Sequence, residues 1–250
     1  MTAELRIVGV PGVPEVVPGD DLAALLVYAI RRADIPVEAG DVVVVTQKVV
    51  SKAEGRLVRL ADIEPSASTV RWAEEADRDA RLVELALREA VRVVRMEAGV
   101  LVTETAHGLI CANSGVDASN VAAGFATLLP VDPDASARRI GAALAAAFGR
   151  PVAVVVSDTF GRPWREGQTN VAVGVAGLRP LVDHRGTVDP FGHRLQSTVI
   201  ALADELAAAA ELVMGKTAGI PAAIIKGAPY EAGDGSAREL QRPREHDLFR

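Results

Sequence analysis

The sequence predicts a mixed α/β (α+β) fold, organised as a single domain over residues 1–250 with two interleaved lobes. Three short runs of β-branched and apolar residues have the length and composition of buried strands, at 41–46, 152–156 and 222–225. Longer segments typical of helices lie at 22–30, 135–148 and 199–214. Because strands and helices do not alternate regularly, the pattern does not dictate a doubly wound parallel sheet.

Helix boundaries are marked by residues with known terminal preferences. An Asp cap precedes the helix that begins at Leu22, and Gly149 is expected to end the Ala-rich helix before it. The charged, Ala- and Leu-rich segment 66–97 predicts surface helices, with Val93 and Val94 among their apolar positions. These helices are expected to serve as scaffold.

The remaining segments are strands and loops. Residues 100–104 and 109–112 are strand-like and are separated by a turn, so they predict a hairpin. The long stretch 161–192 contains several glycines, and no helix or strand is predicted in it. Residues 215–219 are expected to form a loop before the last strand.

Composition narrows the classes of function. The chain has 250 residues, 49% of them hydrophobic, and a formal net charge of −6, which argues against a general binder of nucleic-acid backbones. Its single cysteine, Cys111, excludes an intrachain disulfide and fits a reducing, cytoplasmic setting. We see no signal sequence and no apolar run near the ~18 residues of a membrane helix, so no membrane association is expected.

The first candidate site is the basic segment 46–56, which follows the first buried strand. It carries Lys48, Lys52 and Arg56 together with small hydroxyl residues, and cationic side chains at such a position can neutralise phosphate oxygens. Charge runs near strand ends are also common surface features, so a solvated basic turn remains an alternative.

The second candidate is the polar segment 113–120, which contains Asp117 and several oxygen-bearing side chains. Carboxylate and carbonyl oxygens are the ligands that hard cations prefer. The same residue types favour Asx-turns and helix N-caps, and this alternative stays open.

The third candidate is the segment 157–162, where a buried strand leads to Asp158 and Thr159. Ligand sites in α/β folds commonly lie at the carboxyl ends of strands. Together with Asp117, Asp158 makes an all-oxygen site for Mg²⁺ or Mn²⁺ plausible, because these ions bind through one or two carboxylates plus substrate phosphates. An N-cap role for Asp158 is the alternative.

Other common catalytic and nucleotide-binding patterns are absent from the sequence. It contains neither a Walker phosphate loop nor a Gly-x-Gly-x-x-Gly fingerprint after a strand. The histidines show no close pair with metal-ligand spacing, and no nucleophile-elbow pattern supports Ser-His-Asp catalysis. We assign no role to any histidine.

Several longer motifs, taken in order, resemble the coenzyme F420-0:L-glutamate ligase family. The early motifs are GVPE at 12–15, PGDDL at 18–22, VVSKAEGR at 49–56, GVDASN at 115–120 and SDTFGR at 157–162. The later ones are residues 167–178, DPFG at 189–192, ADELA at 203–207 and MG at 214–215. Because these motifs run in register over nearly the whole chain, the resemblance is more specific than any one of them.

The resemblance implies a homodimer with the two-lobed fold of that family. It implies GTP as the phosphoryl donor and Mg²⁺ or Mn²⁺, two ions per site, and it admits K⁺ as a further ion. Asp117 and Asp158 would bind metal, Thr159 would join the second ion, and Lys52, Asp117 and Asp158 would be the catalytic residues. The residues implied to bind nucleotide are Val13, Pro14, Glu15, Val16, Gln47, Lys48, Lys52, Asn120, Met214, Gly215, Lys216, Thr217, Ala218, Gly219 and Ile220.

The implied reaction joins L-glutamate in γ-linkage to coenzyme F420-0, with further glutamates as a possible extension. The γ-phosphate of GTP passes to the terminal carboxylate of the deazaflavin substrate, and the glutamate amine then displaces phosphate from the acyl phosphate. Two alternatives stay open: a nucleotide- and metal-dependent ligase for a different carboxylate, and a non-catalytic GTP-binding protein.

The chain departs from the family pattern at Lys216. Family members can offer a Gln or Glu side chain to the second metal ion in the loop after Met-Gly, and this chain has a lysine there. With a lysine at this position, the sequence does not define which side chains complete the coordination of the second ion. One hypothesis is that Lys216 contacts a phosphate directly and replaces part of the task of that ion.

Overall fold

The computed structural model of the chain describes residues 4–247, so residues 1–3 and 248–250 of the predicted domain lie outside the described residues. The α-helices are α1 (Leu22–Arg32), α2 (Gln47–Ala53), α3 (Ala67–Glu75), α4 (Ala80–Glu89), α5 (Pro133–Phe148) and α6 (Leu202–Met214). The strands are β1 (Arg6–Gly9), β2 (Val42–Thr46), β3 (Leu57–Arg59), β4 (Ala90–Glu97), β5 (Val100–Thr105), β6 (Ile110–Ala112), β7 (Phe125–Thr127), β8 (Ala153–Arg162), β9 (Arg165–Ala176), β10 (Val182–Asp183), β11 (Val199–Ile200) and β12 (Ala222–Lys226).

A mixed sheet forms the centre of the fold, with the strand order β1-β12-β2-β8-β9. Strands β2 and β8 are parallel, in register from Val42 opposite Ala153 to Thr46 opposite Ser157, and the other neighbours are antiparallel. The apolar parts of both parallel strands, 42–45 and 153–156, are fully buried, as expected for continuous apolar runs. The prediction of a mixed α/β protein is confirmed, and so are the three predicted strands.

Helices cover both faces of this sheet. Alternate side chains of β8 point to opposite faces, so Val154 and Val156 pack with α1 and α5, whereas Ala153 and Val155 pack with α6. The two faces therefore bury separate apolar cores. This arrangement decides on which side of the sheet each polar residue farther along β8 lies.

A third apolar core is built from the chain between β3 and β7. It contains side chains of α3 and α4 together with Leu101 and Ala126. The predicted hairpin is confirmed, since β5 pairs antiparallel with β6 with Thr103 opposite Cys111. The single domain, the two interleaved lobes and the homodimer stay predictions.

The predicted helix ends agree with the structure. Asp21 accepts a hydrogen bond from the backbone N–H of Ala24 and caps α1. Gly149 ends α5 with a φ of 66°, in the left-handed region that a residue without Cβ adopts at little cost.

Two sequence-based assignments are wrong, and one long strand was not predicted. Val93 and Val94 lie in β4, not in a helix, because their β-branched side chains alternate between exposed and half-buried sides of a strand paired with β5. The Gly-bearing stretch 161–192 contains the long strand β9, which forms a hairpin with β8. The last helix begins at Leu202, since Val199 and Ile200 pair with β10 instead.

Within the described part of the chain, every helix is too short or too polar to cross a lipid bilayer.

Candidate functional site

The basic segment after β2 is a helix, not the predicted loop. Helix α2 starts directly after Thr46, so Lys48 and Lys52 lie one turn apart on the same side. Gln47 and Ser51 are buried, and the Ser51 hydroxyl donates to Gln47 Oε1 at 2.8 Å. These contacts fix the first turn of the helix against the core, and the alternative of a freely solvated turn does not describe it.

Lys48 joins α2 to the second candidate segment. Its ammonium donates to Asp117 Oδ2 at 2.6 Å, to the Ser119 carbonyl oxygen at 2.6 Å and to Ser119 Oγ at 2.8 Å. The ammonium group therefore sits among oxygen atoms, much as a small metal ion would.

Asp117 is held in its ionised form by these contacts. Burial raises the pKa of Asp117, but the hydrogen bond and charge of Lys48 and the hydrogen bonds from Ser119 outweigh it and bring the pKa below its ordinary value. The backbone N–H of Ser119 donates to Asp117 Oδ1 at 2.7 Å, so the Asx-turn alternative is also present. The turn fixes the carboxylate and does not prevent it from binding a cation.

Asp158 lies on β8, directly after the parallel pairing with β2 ends at Ser157. Burial raises the pKa of Asp158 to about 6, and the charge of Asp117 acts in the same direction. The backbone N–H of Thr159, the Lys48 charge and a hydrogen bond with Gln47 act against it. An N-cap role is excluded because the residue lies inside a strand. The strand predicted at 152–156 is also longer than expected, because β8 continues past Asp158 to Arg162.

The oxygen atoms around Lys48 fit a divalent metal ion. The charges of Asp117 and Asp158 influence each other, and the carbonyl and hydroxyl oxygens of Ser119 lie on the same ammonium group as Asp117. Among residues 4–247 no group of three or more His, Cys, Asp or Glu side chains could hold a metal. Two carboxylates are nevertheless sufficient for Mg²⁺ or Mn²⁺ when substrate phosphates complete the shell.

Lys52 connects α2 to the N-terminal segment. The Lys52 side chain is 8% exposed, and its ammonium donates to Glu15 Oε1 at 2.6 Å. Glu15 is 77% exposed, while Val16 beside it is buried in the core. The segment that includes Val13 and Pro14 is thereby brought alongside the basic helix.

Arg56, the third cation of the basic segment, points away from the other two. Its guanidinium donates to Glu89 Oε2 at 2.7 Å and to the carbonyl oxygen of Leu129 at 2.9 Å. These contacts join the segment after α2 to α4 and to the end of β7. Arg56 therefore has a structural role in this arrangement.

Thr159 lies on the other face of the sheet from Asp158. Its hydroxyl donates to Asn170 Oδ1 at 2.7 Å and accepts a hydrogen bond from the ammonium of Lys216. Asn170 Nδ2 donates to Glu211 Oε2 at 2.8 Å. Asn170 and Glu211 are not among the site residues predicted from the sequence. A polar residue at the edge of the apolar run 171–176 is a signal that could have indicated Asn170.

The loop after α6 reaches the same end of the sheet. Met214 is fully buried, while residues 215–219, including the implied nucleotide-binding residues Thr217 and Ala218, are exposed. The backbone N–H of Thr46 donates to the Pro221 carbonyl at 2.9 Å, which fixes the end of this loop beside the start of α2. Asn120, with a φ of 52°, is exposed next to Ser119.

The implied residues therefore fall into adjoining groups. One contains Lys48, Asp117 and Asp158 on the α5 side of the sheet. Lys52 lies one turn farther along α2 and contacts Glu15 of the N-terminal segment. The other contains Thr159 and Lys216 on the α6 side. Both groups flank the end of the parallel strand pair, where an anionic ligand would meet cations from α2 and from the loop after α6.

Comparisons with known proteins agree on one family. The model of the family described as F420-0:Gamma-glutamyl ligase matches residues 12–227. The chain is 47% identical to the coenzyme F420:L-glutamate ligase of Methanothermobacter thermautotrophicus, covering 98% of this chain and 99% of that protein. It is 44% identical to the protein of the same name from Methanopyrus kandleri, covering 98% of each chain.

A third relative extends the comparison. The coenzyme F420:L-glutamate ligase of Methanocaldococcus jannaschii is 42% identical over 87% of this chain and 88% of its own length. The likeness thus includes the segments that carry Lys48, Asp117, Asp158 and Lys216. The resemblance found in the sequence motifs is confirmed, and with it the prediction of a ligase: the chain belongs to the F420-0:gamma-glutamyl ligase family.

Proposed function

We propose that this protein attaches L-glutamate in γ-linkage to coenzyme F420-0, with GTP as the phosphoryl donor. The observation that carries the proposal is the meeting of Lys48 with Asp117 beside Asp158, at the end of the parallel strands, in a chain of this family. The names of the relatives support glutamate and the F420 coenzyme as substrates.

The proposed reaction has two group transfers. A carboxylate oxygen of the deazaflavin substrate attacks the γ-phosphorus of GTP, the bond to the β-phosphate oxygen breaks, and GDP leaves. The glutamate amine then attacks the acyl carbon, the bond to the phosphate oxygen breaks, and phosphate leaves with the formation of an amide. The amine loses a proton in this step. Positioning and charge neutralisation supply most of the rate enhancement in such reactions.

Asp117 and Asp158 would hold Mg²⁺ or Mn²⁺ in the proposed site. A bound divalent ion supplies Lewis-acid stabilisation of the charge on the phosphate oxygens. Asp117 is already ionised, as a metal ligand must be. The Lys48 ammonium, which now neutralises Asp117, would then be available to bind an anionic oxygen of the substrate.

Lys52 is proposed to neutralise phosphate charge from the far end of α2. Its aliphatic chain is buried and its ammonium emerges toward the exposed carboxylate of Glu15. A phosphate group could compete with that carboxylate, because an ion pair with an exposed partner contributes little stability. Two of the segments implied to bind the nucleotide, 13–16 and 214–220, come close to the two ends of α2, through the Lys52–Glu15 contact and the Thr46–Pro221 hydrogen bond. This proximity supports the proposed approach of the phosphates.

The homodimer and the use of K⁺ are further parts of the proposal. They rest on the family resemblance alone, and no step above depends on them. Light scattering with the purified chain would test the dimer, and omission of K⁺ from the assay would test the monovalent ion.

The experiment that tests the function is a direct product assay. Purified protein is incubated with F420-0, L-glutamate, GTP and Mn²⁺, and mass spectrometry detects products heavier by one or more glutamyl units. We expect such products from the wild type and their loss in Asp117→Asn and Asp158→Asn. The matched control is Asp183→Asn, which alters an exposed carboxylate paired with Arg185 elsewhere in the chain.

Each contrary outcome has a defined meaning. If GTP is consumed with another carboxylate but not with F420-0, that carboxylate and not F420-0 is the acceptor substrate. Binding of GTP without any product from a range of carboxylates would favour a non-catalytic GTP-binding protein. Equal loss in Asp183→Asn would show that the effect is not specific to the site.

A further inference from the structure

Lys216 extends from the loop after α6 to a group of oxygen atoms on the α6 side of the sheet. Its ammonium donates to Thr159 Oγ1, lies 3.2 Å from Glu211 Oε1 and lies 3.4 Å from Asn170 Oδ1. An ammonium group has three protons, and here each has an oxygen acceptor. We call Thr159, Asn170 and Glu211 the oxygen cage.

The oxygen cage is fixed by its own hydrogen bonds. Thr159 donates its hydroxyl proton to Asn170 Oδ1 at 2.7 Å, so its lone pairs are the part that faces Lys216. Asn170 is 2% exposed and donates through Nδ2 to Glu211 Oε2 at 2.8 Å. The cage therefore presents acceptors toward one point, and the ammonium occupies that point.

A second divalent ion fits this arrangement less well than a first ion fits Asp117 and Asp158, because the cage offers one carboxylate and not two. The family resemblance implies that Thr159 contributes to a second ion, but the lone pairs that such an ion needs already accept from Lys216. The single carboxylate of the cage, Glu211, is also paired with that ammonium. A dication in the cage would also be repelled by the Lys216 ammonium while that ammonium keeps these contacts.

We propose that the ammonium of Lys216 takes the place of the second divalent ion, so that this chain binds one Mg²⁺ or Mn²⁺, at Asp117 and Asp158. The inference depends on the proposed function only for the identity of that first site. The occupancy of the oxygen cage follows from the contacts of Lys216. The oxygen cage is thus a cation site that is filled by the ammonium group of Lys216.

The inference predicts that removal of the lysine charge opens the cage to a metal ion. In Lys216→Gln the side chain offers an amide oxygen in place of an ammonium group, and together with Thr159, Asn170 and Glu211 it completes a set of hard oxygen donors. In Lys216→Met the charge is removed without an added oxygen. The Met variant should therefore bind the extra ion more weakly than the Gln variant.

The test is a count of bound Mn²⁺ per chain. Free Mn²⁺ is measured by electron paramagnetic resonance during titration of the intact protein, with and without GDP. We expect one bound ion in the wild type, two in Lys216→Gln, and one again in the double variant Lys216→Gln/Glu211→Gln. The control Arg185→Gln removes a positive charge from the exposed ion pair of Arg185 with Asp183. This variant should still bind one Mn²⁺ per chain.

Two results would overturn the inference: two ions in the wild type, or no extra ion in both folded variants, Lys216→Gln and Lys216→Met. Circular dichroism establishes that each variant is folded. A wild type without bound Mn²⁺, together with one ion gained in Lys216→Gln, would support the inference and instead refute the site at Asp117 and Asp158. The failure of the proposed function and the failure of this inference are therefore distinguishable.

Discussion

Asp158 and Thr159 are neighbours in sequence, yet their side chains lie on opposite faces of the central sheet. Asp158 is influenced by the charges of Asp117 and Lys48 on the α5 side, whereas Thr159 binds Asn170 and Lys216 on the α6 side. The separation follows from the two-residue repeat of a strand. One short motif therefore contributes to two cation sites of different character.

The separation predicts different metal phenotypes for the two residues. Asp158→Asn should weaken Mn²⁺ binding by at least about tenfold, because it removes a charged ligand. Thr159→Val should leave that affinity within about twofold of wild type, because it changes only the oxygen cage on the other face. Mn²⁺ titration of both variants checks the prediction, and equal weakening in the two would contradict it.

Lys48 is expected to contribute to turnover. Replacement by Met removes the cation at Asp117 but keeps an unbranched side chain. The kcat for product formation should fall by about 100-fold, because that is the usual effect of losing one charge-stabilising donor. Steady-state kinetics at saturating substrates measure this loss.

Lys48→Arg is the matched variant for this test. It keeps the positive charge but changes the geometry of donation, so its kcat should lie between those of wild type and Lys48→Met. A Met variant as active as wild type would remove Lys48 from the proposed chemistry.

Lys52 and Glu15 are expected to respond differently to neutralisation, although they form one ion pair. Lys52→Met should raise KM for GTP because it removes a cation proposed to meet phosphate. Glu15→Gln should change the free energy of unfolding by less than about 1 kcal/mol, since its carboxylate is 77% exposed. Urea denaturation and GTP-dependent kinetics on both variants provide the check, and an unchanged KM in Lys52→Met would contradict the assignment.

The sequence predicted three strands of the central sheet, β2, β8 and β12, because their signal is local. Residues 42–45 and 153–156 are apolar without interruption and are buried on both faces, so composition alone indicates their state. The cap at Asp21 and the stop at Gly149 are likewise local features. The aspartates of the candidate site could be found for the same reason, since each follows or belongs to a strand-like segment.

The errors arose where the structure depends on distant partners. Val93 and Val94 are in a strand because β4 pairs with β5, with Val93 opposite Thr103, and the sequence of the segment does not contain that information. The hairpin of β8 and β9 escaped prediction because its outer part is polar and exposed. The contact of Lys216 with Thr159 joins residues far apart in the chain and depends on the packing of α6 against β9.

Asp204 offers a test of how burial of a charge affects stability. Burial raises the pKa of Asp204 above its ordinary value, and its Oδ1 accepts from the backbone N–H of Ala172 at 2.8 Å. The folded state therefore binds the proton more tightly than the unfolded state. Stability should fall as pH rises from the ordinary value of about 4 through the raised pKa.

Two variants separate the charge of Asp204 from its hydrogen bond. Asp204→Asn keeps an acceptor oxygen and removes the charge, so it should be at least as stable as wild type at pH 7 and lose that advantage near pH 4. Asp204→Ala leaves the N–H of Ala172 unpaired and should be about 1–3 kcal/mol less stable. Denaturant titrations at both pH values measure these differences. An Asn variant less stable than wild type at pH 7 would contradict the sign.

Gly174 is expected to tolerate no side chain, because β9 packs closely against the start of α5. A Cβ at this position would lie 2.5 Å from the carbonyl carbon and oxygen of Pro133, which are backbone atoms that cannot rotate away. Gly174→Ala should destabilise the protein by about 1–3 kcal/mol through overpacking. Gly161→Ala is the matched control, since within residues 4–247 no atom other than those of its chain neighbours lies within 4 Å of the added Cβ. Urea denaturation should show a lower midpoint only for Gly174→Ala, and an equal effect in both variants would indicate loss of glycine in a strand, not the contact with Pro133, as the cause.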